Sequence, residues 1–498
     1  MTTEKKKIHV VFLGKPQWEA GWPYLGYDND SFMRNVLSLL RQKFPHIIFT
    51  QDTIITTYDK GVIKTNWNYI SQSDATLFFT IGHYGDPGLI KAGIELIQKS
   101  HTPKLLANFI YMGDHTFIKT YDSLKRKNVP ILGVSSVNLE DFYGVLDILI
   151  KITEIKGQRA LVYAIDKPAL DWNRIMDLQS PELEKIVQIH PEFINHVQSM
   201  KNEEGSFFTD HKGEDQAHVW RKDEETYINL LHSIFGIEMI REDPAEILKY
   251  YDQIGDKEAE STCQMWIKNA NITEPMEKTI QNAAKLYIAL KKILTDKKCN
   301  FFAPDCGTLL LSGRLPAYPC MAFFELVNDE IYGICESDMD SLVSYVFGLT
   351  LTGRPGFVSN HTFDTIRNQV TYMHCVCSNK LFGVKGESSE YDIYYHGETA
   401  ILGASPRVKF PLGENLTTIK ISVFEKKIAI RTGRIIDNII DDKGCVTKVL
   451  VETNVNKIME KYDWETFGWH RVSFLGDWRE KFTLGAKILG LQVIHEDQ

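Results

Sequence analysis

Six consecutive residues, Cys335-Glu336-Ser337-Asp338-Met339-Asp340, crowd three carboxylates into one short stretch. The apolar run 331–335 before them reads as a short strand. Leu342, Val343, Val346 and Phe347 after them recur at helical spacing. The acids therefore fall at a strand-to-helix turn, where open α/β sheets receive ligands. A helix N-cap accounts for one of them, Asp338 or Asp340. It does not account for three, because crowded carboxylates repel unless a cation or a shared proton intervenes. Oxygen donors of this kind favour Mn²⁺ or Mg²⁺. A divalent-metal site and a plain helix cap are the two readings of this turn.

Histidines are the second source of chemistry. His374 ends an apolar strand in Thr371-Tyr372-Met373-His374. His396 and Glu398 share the segment Tyr394-Tyr395-His396-Gly397-Glu398, and His470 stands in Gly468-Trp469-His470-Arg471 before another strand. Each alone reads as structural. The aromatic and glycine context of His396 and His470 adds only a modest functional signal. The eight cysteines follow no zinc spacing. Cys375 and Cys377 alternate as on one face of a strand, and all eight are expected as reduced, buried thiols. Gly14-Lys15 lacks the rest of a phosphate loop, and dinucleotide, Gly-x-Ser-x-Gly and His-Glu-x-x-His signatures are absent.

The elements that must position these groups begin with apolar runs at 8–13, 47–50, 75–81, 105–110 and 130–134. Helical patterns at 31–44 and 87–100 lie between them, and a long helix at 139–155 closes the set. Such alternation indicates a parallel sheet covered on both faces. A second α/β unit follows: strand 160–165, a polar loop or insertion over 200–225, strand 237–240, helices 244–254 and 274–295, and strand 301–303. From about Arg407 the texture changes. Ile419-Lys420-Ile421-Ser422-Val423, residues 428–430 and residues 448–451 alternate with period two, with turn residues at Glu425 and at 441–444. These read as antiparallel hairpins. Strand 471–474, helix 478–489 and strand 491–494 end the chain. The expected domains are 1–157 (N-terminal α/β), 158–345 (second α/β, carrying the acidic turn) and 346–498 (C-terminal, with the hairpins).

Composition narrows the class. The length of 498 residues calls for several cores. A net charge of −9 with no basic block disfavours a dedicated nucleic-acid binder. No apolar stretch is long enough to span a bilayer. The run after Lys5, Lys6 and Lys7 is too short for a signal peptide and ends at Gly14-Lys15-Pro16. A first strand and a cytoplasmic location are expected, with neither nucleic acid nor membrane as partner.

Several stretches, taken in order, resemble the L-fucose isomerase family, related to L-fucose and L-arabinose isomerases. They are Ile237-Glu238-Met239-Ile240-Arg241; the helix from Pro275 leading to Phe301-Phe302-Ala303-Pro304-Asp305-Cys306; and the acidic turn followed by Leu351-Thr352-Gly353-Arg354-Pro355. The later ones are His374-Cys375, His396-Gly397-Glu398, Trp469-His470-Arg471-Val472, Gly476-Asp477-Trp478-Arg479-Glu480 and Leu489-Gly490-Leu491-Gln492-Val493. The match runs from about Ile237 onward; before that it is mainly architectural.

The resemblance implies two Rossmann-like parallel-sheet domains followed by an α+β domain with an antiparallel β-barrel-like part. It implies a metal-dependent aldose–ketose isomerase acting on a free pentose or 6-deoxyhexose through an enediol. It also implies Mn²⁺ (or Mg²⁺ or Co²⁺) and a homotrimer or homohexamer. In that family a glutamate, an aspartate and a histidine bind the metal; carried over, Asp340 matches the aspartate and His470 the histidine. The glutamate is Glu325, with Glu336 the alternative, and the acidic pair doubles as acid and base. Glu336, Asp338, His374, His396 and Glu398 are then expected around the sugar. The chemistry agrees, because moving a proton between adjacent carbons needs a base, an acid and a charge that stabilises an enediolate. The rivals are a carboxylate-pair glycoside hydrolase and a sugar-binding or differently reacting protein of the same fold.

Overall fold

The run Lys7–Leu13 (β1) is buried at every position after the first, as a central parallel strand must be. In a computed structural model of the chain, which describes residues 5–19, 21–51, 54–82, 86–164, 216–397, 403–441 and 443–498, β1 lies in a five-stranded sheet. Its other strands are β2 (Ile48–Thr50), β3 (Ala75–Thr80), β4 (Lys104–Phe109) and β5 (Leu132–Ser136), in the order β2-β1-β3-β4-β5. All neighbours are parallel. Helices α1 (Asn29–Lys43), α2 (Lys60–Ser71), α3 (Pro87–Lys99), α4 (Asp114–Arg126) and α5 (Leu139–Ile155) connect or follow the strands. Their starts obey local chemistry. Asp59, Asp86 and Asn138 cap α2, α3 and α5 with their side chains, and Pro87 opens α3. Helices α2 and α4 escaped the periodicity reading. β5 begins two residues later than expected, since Pro130 has no N–H to offer a ladder.

A second parallel sheet has the order β7-β6-β8-β9, from β6 (Arg159–Tyr163), β7 (Glu238–Arg241), β8 (Phe301–Pro304) and β9 (Tyr332–Gly333). Helices α6 (Glu224–Phe235), α7 (Ala245–Asp252), α8 (Asp256–Asn269), α9 (Glu277–Asp296), α10 (Cys306–Leu311) and α11 (Cys320–Leu326) accompany it. Most of the expected 200–225 loop lies outside the described residues. Its last part, Gln216–Asp223, is a stretch of 3-10 helix. After β9 the chain makes a turn and enters α12 (Met339–Thr352), which is buried over nearly its whole length.

The C-terminal strands form a closed antiparallel barrel. They are β10 (Phe357–Asp364), β11 (Gln369–His374), β14 (Asn415–Ser422), β15 (Lys427–Asn438), β16 (Thr447–Glu452) and β17 (Arg471–Leu475). The order β14-β17-β10-β11-β16-β15 is completed by the pairing of β14 with β15. A small ribbon of β12 (Tyr391–Tyr394) and β13 (Ser405–Val408) lies between β11 and β14 in the chain. The antiparallel region thus begins at Phe357, earlier than the change of texture near Arg407. β11 ends at His374, so Cys375 and Cys377 follow the strand instead of lying in it; all eight cysteines are buried and unpaired by disulfide. Helix α12 packs against β17 where a glycine permits close approach: a Cβ on Gly348 would lie 2.1 Å from the Phe474 ring. By its contacts the chain divides into two units. One runs to Lys156 and takes in Glu480–Val493. The other comprises Gly157–Arg479 with Ile494–Gln498, so the second sheet and the barrel belong to one unit. Among the described residues, no helix is long and apolar enough to cross a membrane.

Candidate metal centre

The acidic turn is the junction of the second sheet with the barrel. Asp338 is the N-cap of α12: Oδ1 accepts from the Ser341 N–H at 2.8 Å and Oδ2 from the Ser341 hydroxyl at 2.8 Å. Oδ2 also receives the Lys420 ammonium from β14 at 2.6 Å and meets Nδ1 of His470, just before β17, at 3.0 Å. Burial works to raise the Asp338 pKa, but Lys420 and then His470 outweigh it and hold the carboxyl well below the usual carboxylate range. Capping and charge pairing are thus both served by one carboxylate. Its contact with Nδ1 leaves Nε2 of His470 facing the next acid in the turn.

That acid is Glu336. Its Oε2 lies 3.5 Å from Nε2 of His470, and its Oε1 lies 3.9 Å from Nε2 of His374 at the end of β11. The two imidazole rings stand 5.6 Å apart. Burial pushes the His374 imidazole down to about 3, helped by the charge of His470. A ring held neutral keeps a lone pair for a cation, and Nδ1 of His374 has no hydrogen-bond partner. Burial disfavours charge on His470 too, yet Glu336 and Asp338 together raise its pKa. The Cys335 sulfur, a Glu336 oxygen and a His374 nitrogen all lie within 4.8 Å of one another. His470 faces Glu336 from outside that group, and a carboxylate with an imidazole and a sulfur suits Mn²⁺, Fe²⁺, Co²⁺ or Zn²⁺. The residues present therefore fit a divalent metal.

The backbone at this point is strained. Glu336 and Ser337 have φ of +59° and +46°, left-handed values that ordinary side chains rarely adopt. Each such residue costs about 1–3 kcal/mol and persists only when its surroundings impose it. One constraint is visible: the buried Trp220 indole donates to the Ser337 carbonyl at 2.9 Å. From the same 3-10 stretch, His218 and Arg221 each come within 3.8 Å of Asp305, which follows β8.

The expected site residues are distributed unevenly. Glu336, Asp338, His374 and His470 meet at the turn. Asp340, one helical residue further in, is held by the Tyr227 hydroxyl at 2.8 Å and the Val423 N–H at 3.2 Å, both on Oδ1. Burial lifts its carboxyl to about 7, against the pull of Lys420. Glu325 sits in α11 with Oε2 accepting from the Trp266 indole at 2.7 Å and Oε1 from Asn328 at 3.0 Å. It is not in the group around Glu336. His396 packs at a tilt against Tyr318 with ring centres 4.9 Å apart, and is close enough to His374 to disfavour its protonation. Glu398 lies outside the described residues.

Sequence reading missed Lys420, Tyr227, Trp220 and the Cys335 sulfur. Lys420 occupies a polar position of an alternating strand, which ordinarily faces water. Here both faces of β14 are covered, and Lys420 is 2% exposed. A lysine flanked by Ile419 and Ile421 gave no local sign of this. Comparison of the chain with protein-family models and with curated proteins yields no match.

Proposed function

We propose that the protein is a metal-dependent aldose–ketose isomerase acting on a free pentose or 6-deoxyhexose through an enediol. The observation that carries this reading is the Glu336 carboxylate between Nε2 atoms of His374 and His470, on a backbone strained at that residue. Strain concentrated at a turn of convergent donors is a mark of a functional site. Glu336, His374 and His470 would hold the ion, Mn²⁺ in this reading, with the Cys335 sulfur beside them. The engagement of Glu325 by Trp266 and Asn328 favours Glu336 as the metal glutamate. When bound, the cation polarises neighbouring sugar oxygens and stabilises the enediolate charge.

The chain's own groups supply the rest. Asp338 fixes the His470 ring by its contact with Nδ1, as carboxylates behind metal-binding histidines do. Asp340 is the acid/base of this reading. A carboxyl lifted to about 7 exchanges a proton readily near neutral pH. His396 and Glu398 would contact the sugar hydroxyls. A cytoplasmic homotrimer or homohexamer belongs to the same proposal. The test is metal analysis of the pure protein, with ketose formation assayed over a panel of pentoses and 6-deoxyhexoses. Exhaustive chelation is expected to lower turnover at least about 10²-fold, with recovery on adding Mn²⁺. Turnover unchanged by chelation would end the metal reading, and no ketose from any sugar would end the isomerase reading.

A further inference from the structure

Cys335 does more at the turn than offer a sulfur. Its Sγ lies 3.1 Å from Sγ of Cys306, the first residue of α10. The two residues follow neighbouring parallel strands, β8 and β9, so the sheet itself brings them together. They are 7% and 8% exposed, so both thiols belong to the buried interior. A disulfide needs the sulfurs about 2.05 Å apart. Closing the gap therefore takes roughly 1 Å of movement, within reach of thiol rotation and a small backbone shift. The neighbour that must respond is Glu336, already at φ +59°.

We propose that Cys306 and Cys335 form a reversible disulfide under hydroperoxide, and that this cross-link weakens metal binding at Glu336. The metal half of the proposal rests on the functional reading above. The chemistry balances in two steps. One thiol sulfur attacks hydrogen peroxide, the O–O bond breaks, and a sulfenic acid and one water result. The second thiol then attacks the sulfenic sulfur; the S–S bond forms, the S–O bond breaks, and a second water leaves with the thiol proton. Two thiols are oxidised and one peroxide is reduced to two waters. In the linked form the Cys335 sulfur is no longer a donor for the group it shares with Glu336 and His374, and the turn is drawn toward α10.

The experiment treats the full-length protein with hydrogen peroxide, maps its peptides by mass without reduction, and measures Mn²⁺ binding by equilibrium dialysis before and after. The expected result is a Cys306–Cys335 peptide lighter by two hydrogens and Mn²⁺ affinity lowered about 10- to 100-fold. Dithiothreitol should restore both. Cys306→Ser keeps the Cys335 sulfur and should bind Mn²⁺ as the untreated parent does, and should keep that affinity after peroxide. Thiols consumed elsewhere without this link would overturn the proposal. So would a link that leaves Mn²⁺ affinity unchanged. If the untreated protein binds no Mn²⁺, the functional reading fails on that measurement, while the mass map still decides the disulfide.

Discussion

Glu336 combines a strained conformation with a half-exposed carboxylate facing two histidines. Glycine adopts its φ without penalty, so Glu336→Gly should stabilise the metal-free protein by about 1 kcal/mol while abolishing metal binding. Denaturant unfolding after chelation checks the first effect and dialysis the second. A variant that is less stable without metal would mean that the side chain contributes more to the fold than its backbone costs. Glu336 was legible in the sequence as one member of a carboxylate cluster. Its separate role from Asp338 was not, because both acids look alike until one is seen to cap α12 and the other to face the histidines.

Element pairing rests on similarly few groups. Lys420 ties β14 to the start of α12 through Asp338 and Ser341, and the Ile421 N–H donates to the Ser344 hydroxyl beside it at 2.7 Å. Lys420→Met would leave the buried Asp338 carboxylate without its main cation. The expected loss is about 3–5 kcal/mol, read from the unfolding midpoint. A loss below about 1 kcal/mol would show that Ser341 and His470 suffice for Asp338. A second buried lysine acts without a carboxylate. Lys104 opens β4 with its ammonium on the Ser100 carbonyl, and burial lowers its pKa to about 8. The unfolded chain, with an ordinary lysine near 10.5, then binds more protons between those two values. Stability should therefore rise as pH climbs from about 8 to 10.5, by the sign of the linkage relation. Lys104→Met should remove that rise and add on the order of 1–3 kcal/mol at pH 7. Urea unfolding at pH 7, 9 and 10.5 measures both; parallel curves for parent and variant would contradict the assignment.

At the scale of the whole chain, what was legible followed the range of the interaction. Helix α5 was read at its full extent, 139–155, because its apolar stripe and the Asn138 cap are local. The hairpin of β14 and β15 was read from its alternation. A barrel-like part was expected only through the family resemblance, not from the alternation, since closing it by pairing β14 with β17 joins Ile419 to Val472 across distant sequence. The carriers of the site were likewise visible only one at a time. His374 and Lys420 sit on β11 and β14 and His470 just before β17, and nothing near any of them in sequence says that they converge on one turn.

That dispersion has a consequence for synthesis. Asp338 emerges from the ribosome 82 residues before Lys420 and 132 before His470. A nascent chain that has completed the second sheet still carries an acidic turn with no counter-charge. The strained geometry at Glu336 has then nothing from β14 or β17 to hold it. Arg471, beside His470, waits further, for the Glu496 carboxylate that pairs with it at 3.2 Å. The turn is thus made early and assembled late, and its surrounding histidines and lysine are all present only when nearly the whole chain is out. A stalled or prematurely terminated product would expose α12, with its long apolar surface, to chaperones and proteases.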